Sequence, residues 1–120
     1  MSTSGDAPHP IGPEPTPVGF ETNRLAAIDL EREIADLAGR FVRLSRTTIR
    51  PGGHFDLHSH AGRPEIIHVL EGVLTEVRCD TVLLHHAGDT LSMTDGVEHA
   101  LRNDADKPVT YLSISVRKLS

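Results

Sequence analysis

The chain is poor in aromatic residues and in cysteine. Its 120 residues include three Phe, one Tyr, no Trp and a single cysteine, Cys79. One cysteine excludes an internal disulfide. No apolar run approaches the ~20 residues that a membrane helix needs, and no basic patch followed by an apolar stretch marks a signal peptide. We therefore expect an aliphatic core, no membrane partner and a cytoplasmic location.

Clusters of positive charge are also missing. The longest basic run is Arg117-Lys118, and the net charge is −5 with histidine neutral. Proteins that follow a nucleic-acid backbone need a basic surface. The sequence thus predicts no nucleic-acid partner.

Proline is concentrated at one end. Five of the eight prolines lie within the first 20 residues. Such a polar, proline-rich segment buries too little apolar surface to offset the entropy of ordering it. We predict a disordered tail over residues 1–19, which should be dispensable, and a single domain over residues 20–120.

The rest of the chain has the pattern of an all-β protein. Apolar and polar residues alternate over 67–69 and 112–116, and glycines separate these segments at fairly regular spacing. Short strands between glycine turns are typical of a sandwich or barrel. One stretch, Asp29 to Leu37, is compatible with a helix, or alternatively with a single helical turn in an irregular connection.

Histidine is abundant in the middle of the chain. Seven of the eight histidines lie between positions 54 and 99. His58 and His60 are two residues apart, so on a strand both imidazoles face the same side. Glu65 and His99 each follow a turn-like segment and begin a strand. Imidazole and carboxylate ligands suit a transition metal such as Zn, Fe, Mn, Ni or Cu.

The spacing of these residues resembles the two motifs of the cupin family. Residues 52–72 read G-x5-H-x-H-x4-E-x6-G, and residues 88–103 read G-x5-T-x-G-x2-H-x3-N. The second pattern has Thr94 where the family has proline, a change in a turn that we expect to leave the metal ligands unaffected. The matching residues are Gly52, His58, His60, Glu65, Gly72, Gly88, Gly96, His99 and Asn103.

The resemblance implies a jelly-roll barrel (double-stranded β-helix) of six to eight strands. It also implies one divalent transition metal per chain, bound near the barrel centre by His58, His60, Glu65 and His99. Such an ion acts as a Lewis acid, or binds dioxygen if it is redox-active.

Three further residues are candidates for catalysis or substrate binding. Asp56 has the strand parity of His58 and His60, so on a regular strand it faces inward, as a proton acceptor, an orienting group or a solvated rim carboxylate. Arg63 is a candidate to bind a substrate carboxylate, or else a surface arginine. Tyr111 either lines the cavity as an acid or packs in the core. His68 has the opposite parity to Glu65 and should point away.

Two classes of function fit the sequence. One is an enzyme acting on a small organic substrate, by dioxygenase-, isomerase- or lyase-type chemistry. The other is a metal- or ligand-binding module without turnover, and inward-facing Asp56, His86 or Tyr111 would favour the enzyme. A small jelly roll has exposed sheet edges. Two largely apolar sets of side chains either pack inside the barrel or face outward: Ile66, His68 and Leu70 on the Glu65 strand, and Leu112, Ile114 and Val116 on the last strand. In the second case we expect a homodimer.

Overall fold

The computed structural model describes residues 15–118, which form an all-β domain. One 3-10 turn, Leu30–Arg32, joins the first two strands. The strands are β1 Val18–Asp29, β2 Arg40–Ser59, β3 Glu65–Glu71, β4 Val73–Arg78, β5 Thr81–His86, β6 Thr90–Met93, β7 Glu98–Arg102 and β8 Val109–Lys118.

The strands form a jelly-roll barrel, as predicted. They belong to an eight-stranded sheet in the order β5-β4-β7-β2-β8-β3-β6, with β1 paired to β2. The sheet curves until the segment after β5 returns to β3, where the Gly88 amide donates to the Val69 carbonyl at 2.8 Å. Curvature thus brings the two ends of the sheet order together around one interior.

Strand β2 determines which side chains enter that interior. Residues 40–49 pair with β8, and residues 54–59 pair with β7. Phe55 lies opposite Leu101 and His58 lies opposite His99, so β2 advances three residues where β7 advances two. This is a β-bulge, which adds a residue to one strand and re-aims the side chains that follow.

The core is aliphatic, as predicted, with Tyr111 as its one aromatic member among the buried described residues. On β8, the inward positions are Tyr111, Ser113 and Ser115, which are buried. The alternating aliphatic residues face outward: Ile114 is 45% exposed, and Ile66 on the neighbouring β3 is 47% exposed. The structure therefore selects the outward alternative for both apolar sets.

Two motif residues have structural roles. Gly72 has φ +84°, and a Cβ there would lie 2.5 Å from the Pro108 carbonyl oxygen, so the β3–β4 turn requires glycine. The buried Asn103 side chain donates to the carbonyls of Ile49 at 2.9 Å and Lys107 at 2.8 Å. Gly72 and Asn103 thus stabilise the turns at one end of the barrel.

The start of the folded domain lies earlier than position 20. Strand β1 begins at Val18, and Pro15 and Pro17 line the interior cavity. Gly19 lies so close to Gly53 that a Cβ on it would approach the Gly53 Cα to 2.9 Å. Residues 15–19 therefore contribute to the domain, while the rest of the predicted tail, 1–14, lies outside the described residues.

The Asp29 to Leu37 segment forms a helical turn in an irregular connection. Its 3-10 turn is capped by the Asp29 carboxylate, which accepts from the Glu31 amide at 3.0 Å. Across residues 15–118, no helix has the length and apolar character needed to cross a membrane.

Candidate metal centre

Three histidines converge inside the barrel. His58 and His60 extend inward from the end of β2, and His99 extends from β7 directly opposite His58. All three side chains are buried, and each offers a ring nitrogen that lies within 4.8 Å of the other two. The H-x-H pair and the distant His99 thus meet as predicted.

Each ring has its Nδ1 atom facing an oxygen acceptor of the surrounding wall. The acceptors are Asp56 O for His58 at 2.8 Å, Glu76 Oε2 for His99 at 2.7 Å and Arg63 O for His60 at 3.4 Å. An imidazole that donates through Nδ1 keeps its lone pair on Nε2. The wall therefore directs three Nε2 lone pairs toward a common point.

This arrangement fits a metal ion. Nε2 of His60 lies 3.0 Å from Nε2 of His99. Two nitrogens bound at about 2.1 Å to one ion, and about 90° apart, are separated by about 3.0 Å. Two facing lone pairs repel each other unless a cation or a proton lies between them. Burial, followed by the nearby His99 and Arg63, lowers the pKa of His60 to about 3, so a proton is disfavoured there.

Glu65 lies beside the three histidines rather than among them. Its Oε1 is 3.7 Å from Nδ1 of His60, on the side of the ring away from the Nε2 atoms. Burial raises the pKa of Glu65, against the opposing effects of a hydrogen bond from Ser113 and the charge of Arg117. Its role as a fourth ligand stays a prediction, since the structure brings together three of the four named residues.

The carboxylate of Glu76 is a functional group that sequence reasoning missed. Its side chain is 0% exposed and accepts hydrogen bonds from His99 at 2.7 Å, His85 at 2.8 Å and Arg78 at 2.8 Å. Burial alone would raise the pKa of Glu76, but these donors lower it to about 2. Glu76 is therefore an anion that orients His99. One signal was available: in β4, Glu76 has the same strand parity as the apolar residue Leu74.

Asp56 does not face the centre, contrary to expectation. Its side chain is 71% exposed and its Oδ1 lies 2.9 Å from Nδ1 of His54. The bulge in β2 removes the parity that it would share with His58 on a regular strand. The group that orients His58 is instead the main-chain carbonyl of Asp56.

Arg63 and Tyr111 both line an interior cavity of about 390 Å³. Arg63 lies in the loop after β2, and its guanidinium donates to the Ser59 carbonyl at 2.6 Å. Tyr111 is buried in the core as well as bordering the cavity. Burial, with Glu65 nearby, raises the pKa of Tyr111, so its hydroxyl keeps its proton.

Comparison with known families agrees with this fold and site. The family model for the cupin domain matches residues 45–115, which is more than half of the chain. The chain belongs to the cupin family. A search of curated proteins found no match to this cupin.

Solved structures share its fold at low sequence identity. A cupin-2 domain protein from Shewanella frigidimarina is 22% identical, with a TM-score of 0.58 and 78% of each chain covered. A predicted oxalate decarboxylase from Thermotoga maritima is 20% identical, with a TM-score of 0.65 over 86% of this cupin and 91% of that chain. KdgF from Halomonas sp. is 12% identical, with a TM-score of 0.65 over 82% and 78%.

Replacing Glu76 should weaken metal binding. We expect Glu76→Gln to lower the affinity of the cupin for Zn²⁺ by about 10–100-fold, the usual effect of losing an oriented partner of a metal-bound histidine. Competition against a chromophoric chelator measures this affinity. The control is Glu71→Gln, which removes an exposed carboxylate on β3 that accepts from Thr110. Equal affinities for both variants would show that Glu76 does not orient His99.

The stability of the metal-free cupin should decrease on acidification through the titration of His60. The pKa of this histidine is about 3 in the folded chain, against an ordinary value of 6.5. Between these values the unfolded chain binds more protons, so the free energy of unfolding decreases as the pH falls, by up to about 1.4 kcal/mol per pH unit.

Urea unfolding of chelator-treated protein between pH 6.5 and pH 4.5 measures this slope. In that window the contribution of Glu76, whose low pKa stabilises the folded chain above pH 4.5, stays constant. Glu65, with its raised pKa, acts in the opposite direction. The slope of the free energy of unfolding against pH is therefore compared between the native cupin and His60→Gln, and the variant should have the shallower slope. Identical slopes would contradict a neutral, buried His60.

Proposed function

We propose that this cupin is a mononuclear metalloenzyme acting on a small organic substrate. The observation that carries the proposal is the convergence of His58, His60 and His99 beside a cavity lined by two further titratable groups, Glu65 and Tyr111. When bound, the ion supplies Lewis acidity, or dioxygen chemistry if it is redox-active. Dioxygenase-, isomerase- and lyase-type reactions fit this arrangement.

The residues of the chain have distinct roles in this proposal. The three histidines hold the ion, with Glu65 as the candidate fourth ligand. Tyr111 presents a protonated hydroxyl to the cavity, so it can donate a hydrogen bond to a substrate oxygen. Its buried location excludes bulk water from that bond.

A binding module without turnover is the second candidate. Its support is that two of the three acid–base groups considered for catalysis are absent from the interior. Asp56 and His86 are both exposed. Tyr111 is the one of the three that lines the cavity, and for this reason we favour the enzyme.

We further propose that the cupin is a homodimer. Ile114 on β8 lies in register with Leu44 on β2 and Ile66 on β3, which forms an outward apolar row across three adjacent strands. A groove of about 290 Å³ runs between Ile66 and Ile114. A contiguous apolar patch of this kind marks an interaction surface, and a second copy of the same face would cover it by two-fold symmetry.

Light scattering tests the dimer. We expect a mass of twice the 13.1 kDa chain mass for the native cupin, and one chain mass for Ile114→Glu because a charge cannot be buried there unpaired. Val82→Glu, on the exposed face of β5, is the control and should remain dimeric. A native mass near 13.1 kDa would refute the proposal.

Metal analysis tests the proposed site. We expect one divalent transition metal per native chain, and His58→Ala and His99→Ala should each lose most of it while the aliphatic core keeps the barrel folded. His68→Ala is the matched control, since this exposed histidine bonds to Thr90 on the outer face. Full metal content in either ligand variant would overturn the site. Oxygen uptake by the iron-loaded protein then separates dioxygenase-type chemistry from the other reaction types.

A further inference from the structure

The interior cavity adjoins the three histidines through Phe55 and Glu65, and none of the histidines is among its lining residues. The ring of Phe55, which lines the cavity, stacks on the His58 ring with centroids 3.6 Å apart. Glu65, which also lines it, has its carboxylate 3.7 Å from Nδ1 of His60. A molecule in this cavity of about 390 Å³ would thus touch the shell of the histidine site. This volume is at the small end of the range for ligand pockets.

The charge of the cavity is strongly positive. Arg43 from β2, Arg63 from the loop and Arg117 from β8 line it, and Glu65 is the one carboxylate among its described lining residues. Three guanidinium groups against one carboxylate leave a surplus of two positive charges. Charges act over longer distances in a protein interior than in water. The cavity is therefore suited to an anion.

One hydrogen-bond donor of Arg43 lacks an acceptor in the described part of the chain. Its Nε atom is buried and has no hydrogen-bond partner within residues 15–118. The same is true of the Ser45 and Ser115 hydroxyls, and Ser115 lies opposite Arg43 in the β2–β8 register. A buried polar atom without a partner costs about 1–3 kcal/mol. Of the three, Arg43 is the residue that lines the cavity, so its Nε is the donor that an acceptor bound there would satisfy.

We propose that this cavity binds the carboxylate of a small organic acid, with Arg43 as its principal anchor and Arg63 and Arg117 completing the positive wall. The proposal rests on the proposed function, because the acid would then lie next to the histidine site, with Phe55 and Glu65 between them. A carboxylate matches the planar fork of a guanidinium. Phe20 and Leu101 give the cavity an apolar wall that a carbon body would cover and an inorganic anion would not.

Paired probes test the charge requirement. Acetate, malonate, succinate and benzoate are compared with acetamide, malonamide, succinamide and benzamide by NMR titration of the metal-free and the metal-loaded cupin. We expect the carboxylates to bind about ten-fold more tightly than their amides, as suits hydrogen bonds to a charged group. The preference should hold in the metal-free protein, where chelation of an ion cannot produce it.

Substitutions assign the effect to Arg43. Arg43→Met should abolish the preference for carboxylates and Arg43→Lys should keep part of it, because lysine retains the charge but not the fork. Arg46→Met is the matched control, since Arg46 lies on the same strand with its side chain outside the barrel. If Arg43→Met fails to fold, Arg63→Gln in the loop after β2 should reduce the preference while leaving the strands of the barrel intact.

The outcomes separate this proposal from the metal site. Equal binding of acids and amides, an unchanged preference in a folded Arg43→Met, or no binding of any probe would overturn the carboxylate site. Tighter binding of inorganic phosphate than of every carboxylate would also overturn it, in favour of a phosphate-bearing ligand. A carboxylate preference in a chain that binds no metal would leave this inference standing and defeat the proposed function.

Discussion

The geometry of the interior depends on one irregularity in strand β2. Between Phe55 and His58 the strand carries one residue more than its partner β7. On a regular strand, side chains three positions apart, such as those of Phe55 and His58, would point to opposite faces of the sheet. With the additional residue, Phe55 packs toward the core and stacks on the buried His58, while Asp56 and Leu57 are left exposed. The bulge also places His58 opposite His99, so that two histidines about 40 positions apart meet.

The buried negative charge of Glu76 is a second constraint on the three-histidine centre. Glu76 combines full burial with three donors, one of which is His99. A buried carboxylate is stable only when donors form hydrogen bonds with its oxygens, because an isolated carboxylate would cost several kcal/mol in the interior. The arrangement therefore holds His99 in one orientation, with one nitrogen assigned to Glu76 and the other to the centre.

The interior is divided between two kinds of chemistry. At the centre, three imidazoles present lone pairs and favour a cation. In the adjoining cavity, three guanidinium groups favour an anion. Glu65 lies between them, close to His60 and within the field of Arg117, Arg63 and Arg43. The proposed metal and the proposed acid would therefore occupy neighbouring parts of one interior, and the volume of about 390 Å³ would limit the acid to a small one.

The family, the jelly-roll barrel and the three histidines could be predicted from the sequence, because motif spacing and the two-residue period of a strand are local properties. The sequence left open which way the apolar residues of β8 face. A strand with serines on one face and aliphatic residues on the other has the same two-residue period whether the aliphatic face points inward or outward. Only the tertiary structure showed that Ser113 and Ser115 face inward and Ile114 outward. The same holds for Asp56, whose parity the bulge reverses, and for Glu76 and Arg43, which lie outside the motifs. Pairing between distant strands decides the surroundings of these residues, and no local pattern records which strands pair.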